Sequence, residues 1–85
     1  MNEKQILLIA IKNWWNNSSK DNDAIDRLLN RNTTINGYIF SLTSGHRAYI
    51  NAKNNTGVEL SIIDCGTPDT PSELKSILIA ILNTN

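Results

Sequence analysis

A single cysteine, Cys65, cannot close an internal disulfide, so the chain is not a disulfide-stapled scaffold and a reducing cytoplasm is its expected setting. His46 is the only histidine, and with Cys65 it falls short of the four-ligand sets of closed zinc sites; no spaced ligand motif is present, and neither a metal nor a cofactor is expected. Charge of either sign is not in excess either. Eight Lys and Arg against eight Asp and Glu give a formal net charge of zero, which argues against affinity won simply by phosphate neutralisation. A long hydrophobic run is also missing: the apolar N-terminal stretch is interrupted by Lys12 and Asn13 and lacks a small-residue cleavage site, so neither a membrane span nor a secretory signal is expected. Internal repeats, low-complexity tracts and linkers are absent, and 85 residues form a single domain over 1–85. A chain of this size buries about 60 to 65% of its unfolded surface, which leaves little stability in reserve.

What is present is a clear alternation pattern. Tyr38, Phe40 and Leu42 alternate with Ile39, Ser41 and Thr43; Ala48, Ile50 and Ala52 with Arg47, Tyr49, Asn51 and Lys53; Val58, Leu60 and Ile62 with Glu59, Ser61 and Ile63. Each run reads as a strand with one apolar face, and together they predict a three-stranded antiparallel meander. A loop of Thr43-Ser44-Gly45, with Gly45 left-handed, sets Leu42 opposite His46, Phe40 opposite Ala48 and Tyr38 opposite Ile50. The turn Asn54-Asn55-Thr56-Gly57 sets Ala52 opposite Val58.

Helices flank the meander. Thr70 caps, Pro71 suits the first helical position, Glu73 suits a capping box, and Leu74, Ile77, Leu78, Ile81 and Leu82 then form one stripe with Ile79 off it. At the other end, Ile6, Leu7, Leu8, Ala10, Ile11, Trp14 and Trp15 cover about half the circumference of a helix over 1–17. Asp23 is the expected cap of a short helix carrying Ile25, Leu28 and Leu29, and 30–36 reads as a polar connector. The expected fold is α+β in the order α-α-β-β-β-α, with helices packed on one sheet face and an αβββα core over 23–82.

The candidate chemistry centres on His46, expected at the rim of the inner face just after the turn. There an imidazole can serve as a general acid or base near neutral pH, or simply as a hydrogen-bonded turn residue. A Cys65–His46 nucleophile pair is the less natural assignment, because a lone cysteine near a strand end more often packs as a small apolar side chain. Arg47 and Lys53 on the outer face, with Tyr49 between them, can hold and stack single-stranded RNA; the plainer alternative is an ordinary solvated strand with Glu59 as a cross-strand partner.

The order Ser44-Gly45-His46-Arg47-Ala48-Tyr49, a polar turn, Val58 to Asp64, and then Ser72 to Leu78 resembles the HicA-type mRNA interferase toxins over about the last sixty residues. The resemblance implies a double-stranded-RNA-binding-like fold with a helix before three strands and a helix after them. It also implies a ribonuclease in which His46 is catalytic and a basic residue on the final helix, Lys75, approaches phosphate. The Trp-bearing N-terminal helix has no counterpart in that pattern. It suggests a different class of function, a non-enzymatic protein–protein interaction module such as an inhibitor, an immunity-type partner or a homodimer, with Trp14, Trp15 and Ile79 at the interface.

Overall fold

In the computed structural model, which describes residues 1–84, two helices precede a four-stranded antiparallel sheet and a third helix follows it. The helices are α1 (Glu3–Asn17), α2 (Asn22–Asn30) and α3 (Pro71–Leu82). The strands β1 (Thr33–Ile35), β2 (Tyr38–Ser44), β3 (Ala48–Lys53) and β4 (Glu59–Asp64) are neighbours in chain order. The class is α+β as expected, but the three-stranded reading is corrected to four. β1 lies within the stretch expected to be a polar connector. It pairs with β2 through the two-residue turn Asn36-Gly37, both at positive φ (53° and 79°), the geometry that matches the twist of a tight hairpin.

The β2–β3 register differs from the expected one by an even number of residues. Phe40 faces Ala52 and Leu42 faces Ile50, while Ser44 faces Ala48, so the loop is Gly45-His46-Arg47. Gly45 is not among the positive-φ glycines, and no left-handed residue closes this loop. The even offset leaves every side chain on its expected face, and it places the larger Ile50 and the smaller Ala52 against Leu42 and Phe40. Tyr38 pairs with Ile35 of β1 rather than with Ile50.

Across the second turn, Ala52 faces Leu60 and Lys53 faces Glu59, two residues beyond the expected pairing; Val58 stays outside the ladder. The side-chain oxygen of Asn54 accepts from the backbone N–H of both Thr56 and Val58 and so organises the turn. Between Ile50 and Asn51 the register shifts, leaving Ile62 as an extra residue of β4, and Ile62 and Ile63 are both buried. This bulge breaks the simple alternation and carries the buried positions on to Cys65.

The caps explain the helix boundaries. Asn2 and Gln5 form a reciprocal capping box on α1, and Asp21, not Asp23, caps α2 by accepting from the Asp23 N–H. Thr70 accepts from the Glu73 N–H at the start of α3, with Pro71 at its first position, as expected. Glu73 accepts from the Asp69 N–H rather than closing on the cap residue.

The core lies between the helices and one sheet face, with Phe40, Ile50, Ala52, Ile25, Leu28, Ile11 and Leu78 fully buried. α1 packs on β4 and touches β1 and α3, while α2 packs on β2 and α3. Trp15 is 1% exposed, and its indole Nε1–H donates to Asn83 Oδ1 at 2.9 Å, joining the end of α1 to the end of α3. On the open sheet face, Asn51 is buried yet satisfied: it donates to Thr43 Oγ1 and accepts from Ser61 Oγ at 2.9 Å. No helix among the described residues is long and apolar enough to cross a membrane.

Candidate functional site

The Gly45-His46-Arg47 loop is short and braced. Gly45 N–H donates to Arg47 O at 3.2 Å, Ala48 N–H donates to Gly66 O at 2.9 Å, and Cys65 N–H donates to Ala48 O at 2.8 Å, so the hairpin end is stitched to the extension of β4. Arg47 Nη2 then reaches both carboxylate oxygens of Asp64 at 3.1 and 3.0 Å. The Gly66 N–H, donating to Asp64 Oδ1 at 2.8 Å, and then Arg47 hold the Asp64 carboxyl below the ordinary carboxylate range; Asp64 in turn raises the Arg47 guanidinium further.

His46 stands at the centre of this braced loop, exposed and outside the strand ladder. The expected pairing of His46 with Leu42 is thereby corrected, Leu42 facing Ile50 instead. The register extends pairing to Ser44–Ala48 and pushes the histidine out of the ladder.

Beside the loop, the C-terminal half of α2 and the approach to α3 close a cleft of about 640 Å³. His46, Arg47 and Lys75 all line it, joined by Ser44, Asp26 and Ser72. Its floor is apolar, built from Leu29, Leu42, Ala48 and Leu74. Lys75 Nζ lies 2.9 Å from Asp26 Oδ1, an ion pair between α3 and α2 with side chains 30% and 50% exposed. A volume within the few-hundred-to-thousand Å³ range, an apolar floor and a few convergent polar groups are the marks of a small-ligand site. The start of α3, which opens at Thr70, also lines the cleft and turns the positive end of the helix dipole toward it, although Pro71 has no N–H and the Glu73 and Leu74 N–H groups already donate to Thr70.

The other sequence-predicted residues lie elsewhere. Tyr49 is half-buried on the open face between Thr43 and Asp64, and Lys53 is exposed at the far end of β3 opposite Glu59. The structure therefore does not bring Lys53 to the cleft. Trp15 is enclosed within the single chain and presents no ring to a partner, whereas Trp14 and Ile79 are half-buried against the core. Cys65 is buried, and burial pushes its thiol up to about 11, so it is no thiolate partner for His46 at neutral pH. Among the described residues no three His, Cys, Asp or Glu side chains come together to hold a metal.

Asp26 and Asn30 of the cleft had no sequence signal as site residues, since only tertiary packing of α2 against β2 brings them to the hairpin; Ser44, the last residue of β2, was legible as part of the hairpin end but not as a wall of this cleft. Thr70 to Ser72 were legible as a helix start but not as a wall of this cleft. Comparison with family models, curated proteins and solved structures returns no match.

Proposed function

We propose that the protein is a small RNA-directed protein of the toxin-like type suggested by its resemblance to HicA-type interferases, acting as a ribonuclease through His46. One observation carries this reading: Lys75, from α3, lines the same cleft as the neighbouring His46 and Arg47 of the β2–β3 loop. An imidazole alone is a poor catalyst of phosphodiester cleavage. Cations beside it supply the charge stabilisation that the reaction demands.

In this reading neutral His46 accepts the proton of a ribose 2′-hydroxyl as that oxygen attacks the adjacent phosphorus. The bond from phosphorus to the departing 5′-oxygen breaks, and the imidazolium returns its proton to that oxygen, leaving a 2′,3′-cyclic phosphate. Lys75 and Arg47 offset the charge that builds on the non-bridging oxygens, with Arg47 oriented by Asp64. Replacing His46 with Ala should lower cleavage by about 10²-fold or more with little change in stability, because the side chain is exposed. If the wild-type protein neither binds nor cuts RNA at low salt, or if the substitution mainly lowers stability, the histidine is structural.

A second reading, a non-enzymatic interaction module or homodimer, is favoured by one observation: Met1, Ile6 and Ile9 are 83%, 51% and 44% exposed. Light scattering that gives 9.5 kDa over a broad concentration range ends the homodimer form of this reading.

A further inference from the structure

We infer that the cleft takes one nucleotide unit, with its phosphate displacing Asp26 from Lys75 and its base and sugar lying on the apolar floor; this rests on the RNA-directed reading above and names the substrate scale. Three observations support it. The volume of about 640 Å³ accommodates a nucleotide but not a length of polymer. Duplex RNA recognition, by contrast, spans many base pairs along an extended surface. The chain is also neutral, and both cations of the cleft are already paired, Lys75 with Asp26 and Arg47 with Asp64, so no continuous basic track is available to follow a backbone. Affinity must then come from apolar contact with the base together with one charge-assisted contact.

The second pairing differs from the first. Asp64 is anchored by Gly66 as well as by Arg47 and forms part of the loop brace. Asp26 has only the flexible ammonium of Lys75 as its ion-pair partner, and the two lie on separate helices at the cleft wall. Lys75 is thus the cation that can change partner without dismantling the hairpin. Asp26 is a built-in competitor for the incoming phosphate and sets how much charge a ligand must bring.

The test titrates the full chain with uridine 5′-monophosphate, uridine, inorganic phosphate and a uridine tetranucleotide, following backbone amide shifts of Ser44, Gly45 and Ser72. The monophosphate should shift these amides and bind within about tenfold of the tetranucleotide, and inorganic phosphate should bind more weakly than the monophosphate by about tenfold or more. The log–log salt slope for the tetranucleotide should lie near −0.7, the value for about one neutralised phosphate on a single strand. Asp26→Asn should tighten the monophosphate by about two- to fivefold, the reach of an exposed ion pair, and Lys75→Met should weaken it by about tenfold or more. A tetranucleotide that binds while the monophosphate does not, a slope of several units, or an unchanged affinity in Asp26→Asn overturns the inference. RNA cleavage sensitive to His46 with no mononucleotide binding overturns it while leaving the ribonuclease reading intact. Mononucleotide binding at these amides without RNA cleavage does the reverse.

Discussion

Removing the Asn83 side chain tests whether α1 is an integral wall of the fold. Trp15 is 1% exposed and its Nε1–H has Asn83 Oδ1 as its acceptor, at 2.9 Å. Asn83 is exposed, so Asn83→Ala opens the Trp15 N–H to water and costs about the net worth of one hydrogen bond, about 0.5 to 1.5 kcal/mol, while the backbone bond from the Asn83 N–H to Ile79 O survives the change. A chain of this length is stable by about 4 to 13 kcal/mol in total. The loss should therefore appear as a fall in Tm of about 4 to 8 °C for each kcal/mol. Trp15→Phe removes the donor and a ring, so Asn83→Ala made in that background should cost about 1 kcal/mol less than in the wild type. Urea unfolding of the four proteins, followed by far-UV circular dichroism, measures the difference. Equal costs in both backgrounds, or a cost under about 0.3 kcal/mol in the wild type, would refute the reasoning.

Deleting residues 1–17 should expose the surfaces of β4 and α3 that α1 covers and leave a chain that binds hydrophobic dyes; a soluble, cooperatively folding remainder would mark α1 as an appendage. Cys65 should resist alkylation at pH 8 in the native state and react fully once unfolded. Because its folded pKa of about 11 exceeds the ordinary 9.0, stability should decline as pH rises through that window, and Cys65→Ala should flatten the decline. Asp64 has the opposite sign: its carboxyl is held below the ordinary 3.8, so its contribution is present above that value and disappears as pH falls through the lowered one. Asp64→Asn should reduce the acid-side slope of a urea-stability profile, and an unchanged slope would show that the brace does not discriminate between the charged and neutral forms.

Three of the four strands and all three helices were legible because each has a strong periodic face or cap: Phe40 and Leu42 in β2, Ile50 and Ala52 in β3, Thr70-Pro71 at α3. β1 was missed because three residues beside polar neighbours carry too little pattern to outweigh them, although Asn36-Gly37 is the strongest short hairpin signal in the chain. The β2–β3 offset was misjudged because alternation fixes which face a residue takes, not how far one strand slides past another by an even step. The β4 bulge likewise has no signature in Ile62-Ile63, where two adjacent branched residues suit either face. Sequence singled out His46 with its neighbour Arg47, and Lys75 on the final helix as a candidate phosphate contact; the cleft that all three line is formed by the packing of α2 and α3 beside the hairpin.

The Trp15–Asn83 bond spans 68 residues, and that separation bears on how the chain fares during synthesis. At about 5 to 20 residues per second, a ribosome takes about 3 to 14 seconds to travel from the tryptophan to its acceptor. For most of that interval the newly made first helix carries an indole and a broad greasy side with only β1 among its partners, since β4 is complete at residue 64 and α3 at residue 82. Slow codons between these positions would lengthen the wait, and a holding chaperone should bind the nascent chain most strongly there.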